Sequence, residues 1–418
     1  MARRRVAKRP RARDRTATHR PPVTARSVLG VAVDRPASIA APATASDVDE
    51  PQALVASFWI DSGDERGEPY SVSVRFHGRY AVAHGTPRPD EEFTRDESVD
   101  GIVPGSGRVS ITAWIYGIRA GEWTVTGEVI DDSRDRDRDR DRMSRTDRVT
   151  RVPRQIARAV WSWRRWAVID GPDTAISTRW ALLAPIARQP AVVPGLYFVL
   201  AILGIGLALV IQAAILGSGS VSVGRALTAS AIAIAAGLIG AKLWYAVLHP
   251  DESIIRGGWA VDGFLIVVPV VAAVTLFQFD LPIGTVLDAS TPGIFAAVAI
   301  GRVGCFLTGC CAGRCTASRW GIWSSNRRLG ARRVPTQLLE SGAGLVIGLV
   351  TLALVVGSVM PIPGVTFAAA FAAYAVVRQI LLRLRVERRK SARTVSLTGV
   401  AAAVVVVIVL VLIAVQGA

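Results

Sequence analysis

All four cysteines of this chain fall in one short stretch, Gly301–Thr316, which reads GRVGCFLTGCCAGRCT. The same stretch puts Arg302 near the end of an apolar run. A guanidinium does not give up its proton, and holding it at membrane depth costs about 3 kcal/mol on insertion scales. Arg302 is therefore a functional candidate whose natural partner is an anion that enters the bilayer. A lipid phosphate is the commonest such anion, and the planar fork of arginine meets two of its oxygens at once. The cysteine spacing, C-x4-C-C-x3-C over Cys305, Cys310, Cys311 and Cys315, lacks the paired C-x2-C units of a structural zinc site. A disulfide, or small side chains in a tight turn, fits it better, and neither a metal nor another cofactor is expected.

The elements that must position Arg302 are helices. Beyond residue 190, apolar runs of roughly 20 residues recur, each long enough to cross about 30 Å of hydrocarbon. Seven such runs are expected: Ala191–Leu216, Arg225–Leu248, Trp259–Phe277, Thr291–Gly309, Gln337–Ser358, Val365–Leu384 and Ser396–Val415. The fold class that follows is an all-α polytopic membrane protein with seven transmembrane helices in the cell membrane (residues 191–416), preceded by a small all-β sandwich-like soluble domain.

The N-terminal half divides by composition. Residues 1–50, rich in Arg, Pro, Ala and Thr, form a disordered basic tail, and the apolar run Val28–Val33 is too short for a signal-peptide core. Residues 51–131 carry ALVASFWI, YSVSVRF, RVSITAWIYGI and EWTVTGEVI, β-branched and aromatic runs separated by Gly/Pro/Asp-rich stretches. They suggest an immunoglobulin- or fibronectin-like sandwich, with the last two strands joined as a hairpin at Arg119–Gly121. Residues 132–153 are a charged linker. Its RDRDRDRDR repeat cancels its own charge, which argues against a nucleic-acid arm. Residues 154–190 interleave Trp161, Trp163, Trp166 and Trp180 with arginines, the composition of a segment lying on lipid headgroups.

The net charge of +16 over 418 residues accordingly fits an anionic lipid surface rather than nucleic acid. Loops after the second, fourth and sixth runs hold nearly all the basic residues of the membrane part. Those after the first, third and fifth hold none. The positive-inside rule puts the basic side, and the sandwich with it, in the cytoplasm.

Four stretches together carry a resemblance: SIIRGGWAVDGFL (253–265), AIGRVGCFLTGCCAGRCT (299–316), VPTQLLE (334–340) and AAYAVVRQI (372–380). In order and spacing they resemble prolipoprotein diacylglyceryl transferase, a seven-helix bacterial membrane enzyme. The resemblance covers about residues 191–416 and implies transfer of diacylglyceryl from phosphatidylglycerol to the lipobox cysteine of a prolipoprotein signal peptide. It implies that Arg302 and Arg378 hold the phosphate, that Asp262 stands where the family has its histidine, and that Glu340 and Gln337 orient the arginines. Gly257, Gly258 and Gly263 would let a lipid or another helix approach the backbone closely, Gly304 joins Gly258 and Gly263 among the expected substrate-binding residues, and Tyr245 and Tyr374 match aromatic positions of the family. Cys305 stands where many members have asparagine, while Val334, Leu339 and Leu382 replace a histidine, a tyrosine and an acid. The alternative is a non-catalytic lipid-binding protein of the same fold whose sandwich recruits a partner. The family's geometry would place the basic face outside, against the charge rule, and is the stronger constraint.

Overall fold

The computed structural model describes residues 52–63, 67–82, 88–132, 152–162, 167–250, 258–359 and 362–386. Its first half is antiparallel sheet. Strands β1 (Gln52–Asp61), β2 (Tyr70–Tyr80), β3 (Glu92–Ile102), β4 (Arg108–Ile118) and β5 (Glu122–Asp132) alternate inward apolar and outward polar residues. β1 pairs with β4, whereas β2 pairs with β3 and β5, so consecutive strands are shared between two sheets. Leu54, Phe58 and Ile111 from one sheet and Val74, Phe76 and Trp123 from the other form a single core. The expected hairpin at Arg119–Gly121 is not formed, because β4 and β5 lie in different sheets. Gly117 (φ +72°) and Gly121 (φ +137°) turn the chain across the gap between them. Trp123 then enters the core, its indole N–H donating to the Arg119 carbonyl at 3.0 Å.

Within the Trp/Arg-rich segment, β6 (Arg154–Gln155) and β9 (Ala175–Ser177) pair with β5, β10 (Arg179–Trp180) pairs with β1, and β7 (Ala159–Ser162) pairs with β8 (Ala167–Asp170). A 3-10 helix, Ala181–Ile186, follows; it buries Ala184 and exposes Leu182, Leu183 and Ile186.

The second half is helical: α1 (Leu196–Gly217), α2 (Val223–Leu248), α3 (Val261–Gln278), α4 (Ile283–Thr308), α5 (Thr336–Val356) and α6 (Val365–Leu382). Five of these, all except α3, are long and apolar enough to cross a membrane. The expected count of seven is therefore not reached among the described residues, and the run 396–415 lies outside them. α4 starts before the expected Thr291 because its polar residues find partners. Ser290 Oγ and Thr291 Oγ1 donate to the carbonyls of Val286 and Leu287 one turn back, at 2.6 and 2.8 Å. Asp288 accepts the N–H groups of Gly364 (2.6 Å) and Phe367 (2.8 Å), capping the N-terminus of α6. α4 packs on α1, α5 and α6 and is the most buried span. At Gly293 a methyl group would come within 2.6 Å of the Ala208 carbonyl, so only glycine allows this crossing of α1 and α4.

The two halves share a sheet. Between α4 and α5 the chain forms β11 (Ile322–Ser325) and β12 (Leu329–Arg333), and β12 pairs with β4, giving the order β10-β1-β4-β12-β11. Leu329 and Ala331 enter the N-terminal core. Trp323 stacks on Trp59 at 5.5 Å and donates to the Arg108 carbonyl at 2.9 Å, while Thr112 N–H bonds the Arg328 carbonyl at 2.8 Å. The sheet domain thus lies on the side of the bundle that carries the basic loops. Not every arginine there faces lipid. Arg333 is buried, donating to the Gly313 and Leu329 carbonyls at 2.9 Å each. Burial holds its guanidinium below the ordinary arginine range and pushes the neighbouring Cys315 thiol up.

At Gly330 a methyl group would meet Ser110 Oγ at 2.3 Å and the Trp323 ring at 2.8 Å. Gly330→Val is expected to cost about 1–3 kcal/mol and to part β12 from β4. Hydrogen exchange would show it as faster exchange at the Thr112 amide, with β1–β4 pairing kept; an unchanged Thr112 would mean that this joint does not hold the domain.

Candidate functional site: an arginine cage on a buried carboxylate

Three helices aim charge at one point. α5 presents Glu340 from its second turn, with no exposed side-chain surface. α4 presents Arg302 from its last turns, and α6 presents Tyr374 and Arg378 one turn apart. Glu340 Oε1 accepts from Tyr374 Oη at 2.6 Å and Arg378 Nη1 at 2.7 Å, and lies 2.9 Å from Arg302 Nη2. Its Oε2 accepts from Nη2 of Arg385, which stands just past α6. Three guanidinium groups thus share one carboxylate, leaving two positive charges unmatched among the described residues.

The three differ in access. Side-chain exposure is 31% for Arg378, 16% for Arg302 and 6% for Arg385. Arg385 is the most buried of the three, and its Nε–H has no partner among the described residues. A guanidinium fork matches the geometry of an oxyanion, and an excess of positive charge adds to that attraction.

The cage is held by the turn after α4. Gln337 Nε2 donates to the Cys310 carbonyl at 2.9 Å, and Thr336 Oγ1 to the Cys311 carbonyl at 3.3 Å, one turn before Glu340. Arg314 N–H bonds the Leu384 carbonyl (2.9 Å) and Val386 N–H the Ala312 carbonyl (3.2 Å), which fixes Arg385. Ser341 Oγ donates to the Ala299 carbonyl at 2.7 Å, tying α5 to α4. Phe295 packs at 5.5 Å from the Tyr374 ring.

Of the residues singled out in the sequence, Arg302, Arg378, Glu340 and Tyr374 meet in the cage, and Gln337 supports it. Gly304 lies against Tyr197 of α1. Gly258 lies against the Tyr245 ring, and Gly263 against Gly240 and Trp244. Tyr245 stacks on His249 at 4.3 Å. These three belong to the pairing of α2 with α3, and Asp262 stands in the first turn of α3. Gly257 lies outside the described residues. Arg385 was not singled out. Its signal was its position seven residues after Arg378, two helical turns along, but it reads as one of several basic residues after α6.

Residues 191–415 match the family described as prolipoprotein diacylglyceryl transferase. Among similar proteins, a phosphatidylglycerol–prolipoprotein diacylglyceryl transferase of Dehalococcoides mccartyi is 32% identical over 131 residues, covering 29% of this chain and 50% of the relative. One from Lactobacillus delbrueckii subsp. bulgaricus is 39% identical over 80 residues, covering 17% of this chain and 29% of the relative. The chain spans about half the length, or less, of these relatives.

Removing the shared carboxylate tests the cage. Glu340→Gln leaves three buried or half-buried cations facing one another and is expected to destabilise the bundle by about 3–5 kcal/mol. Thermal unfolding in detergent measures this, and adding Arg385→Met should restore part of the loss. A Glu340→Gln protein that melts like the parent would show that ion pairing does not hold these helices.

Proposed function

The chain belongs to the prolipoprotein diacylglyceryl transferase family, and from that premise we propose that it moves diacylglyceryl from phosphatidylglycerol to the cysteine thiol of a prolipoprotein signal peptide in the cell membrane. The observation that carries this reading is the cage: Arg302 and Arg378 share Glu340 with Arg385, so positive charge exceeds negative among apolar spans. In this reading those two forks grip the phosphate of the lipid.

The chemistry then follows from charge. The acceptor sulfur attacks the terminal glycerol carbon of the diacylglycerol; a carbon–sulfur bond forms and the carbon–oxygen bond to phosphate breaks. The departing glycerol phosphate gains charge on the oxygen nearest the arginines, so the cage binds the transition state more tightly than the intact lipid. Asp262 is proposed to take the thiol proton. Glu340 keeps the forks aligned, and Gln337 fixes the turn beneath them. A carboxylate in place of the family's histidine, and Cys305 in place of its asparagine, favour one second reading, a protein of this fold that binds lipid without turnover. A seventh span over 396–415 belongs to the proposal, as does seating of residues 154–190 on headgroups, which exposed Leu182, Leu183 and Ile186 support.

Reconstitution into phosphatidylglycerol vesicles with a lipobox peptide tests it. Mass spectrometry should find the diacylglyceryl thioether, and Arg302→Ala should lower its rate about 100-fold, in the range for loss of an oxyanion donor. Arg302→Lys should remain well below the parent, because an ammonium keeps charge but loses the fork. Lipid retention with no thioether in the parent would select the binder; a parent that does neither overturns both.

A further inference from the structure

Cys305 and Cys310 have no part in the reaction above, yet they stand against its first arginine. α4 ends at Gly309 (φ +75°), and Cys310 N–H bonds back to the Cys305 carbonyl at 3.1 Å. That is the six-to-one bond of a Schellman cap, which brings the side chains at its two ends into contact, a contact that apolar residues usually fill. Here both ends are cysteine. Cys310 Sγ lies 3.6 Å from the Cys305 carbonyl oxygen, to which it donates, and 3.9 Å from Thr308 Oγ1. Cys305 Sγ lies 4.0 Å from Arg302 Nη1, and the Cys310 carbonyl is the group that holds Gln337. All four cysteines are free thiols here.

We propose that Cys305 and Cys310 are a dithiol that oxidises reversibly to a disulfide, a covalent modification site that sets whether the cage can hold its anion. The oxidant is a disulfide compound. The Cys310 sulfur attacks it and expels one thiol; the Cys305 sulfur attacks the mixed disulfide and expels the second. Two electrons pass from the chain's sulfurs to the oxidant's, and the two thiol protons leave on the released thiols. Closing the bond removes the Cys305 thiol from Arg302 and draws Cys310 toward the helix against the hold of Gln337, so the first fork loses its alignment. The other two cysteines serve this pairing less well. Cys311 is joined directly to Cys310, so a bond between them would close a strained small ring, and it already has positive φ (+54°). Cys315 packs against the sheet core.

The pairing stands without the proposed function; the gating rests on the anion-binding reading. The full chain in phosphatidylglycerol nanodiscs is treated with oxidised glutathione, alkylated, and mapped by peptide mass, with retention of a fluorescent phosphatidylglycerol measured in parallel. The expected result is a Cys305–Cys310 bond reversed by dithiothreitol, with lipid retention about tenfold weaker while oxidised, the size of one lost charge-assisted hydrogen bond. Cys310→Ala should abolish the redox response, and Cys311→Ala should keep it. Thiols that stay fully alkylatable, a Cys310–Cys311 bond or a glutathione adduct alone overturns the pairing. A mapped bond with unchanged retention overturns the gating. A protein that retains no lipid in either state sinks the anion-binding reading and the gating with it, while the mapped bond still decides the pairing.

Discussion

One carboxylate with no exposed surface holds the working end of the helix bundle together. Glu340 accepts hydrogen bonds from Tyr374, from Arg378 of α6 and from Arg385 after it, and pairs by charge with Arg302 of α4. In an apolar interior an unpaired guanidinium is costly, so each arginine is drawn to the one carboxylate that these side chains contact among the described residues. One carboxylate is too few for three cations, and the proposed phosphate contact rests on that shortfall.

The sheet domain is joined to this site by more than its linker. β12 belongs to the sheet core through Leu329 and Ala331, and four residues past its Arg333 stands Gln337, which holds the turn under the cage. A load on the sheet can thus reach the arginines along a short run of hydrogen-bonded backbone.

Most of the helical runs were legible because twenty apolar residues have few other uses, and Arg302 because charge in that setting stands out. Arg378, Glu340 and Tyr374 were found through family resemblance. Arg385 was not, since it sits in a run of arginines where nothing local marks it as buried. β3 was missed for another reason: Glu92–Ile102 points charge outward and supplies few apolar residues inward, so its alternation is faint. The pairing of Gly330 with Ser110 is a contact between distant parts of the chain, which no periodicity records. α4 began early because Asp288, Ser290 and Thr291 look like a loop until their partners are known.

The cap that Asp288 places on α6 has a further consequence. α4 and α6 run the same way, and they are fastened twice: by Asp288 at one end and through Glu340, between Arg302 and Arg378, at the other. From Asp288 to Arg302 is about 21 Å at 1.5 Å per residue. Two rods pinned at both ends cannot slide like pistons. When the surrounding bilayer thickens or thins, these helices must lean together or let the lipid deform around them, and the spacing between the Asp288 cap and the cage stays fixed along the pair.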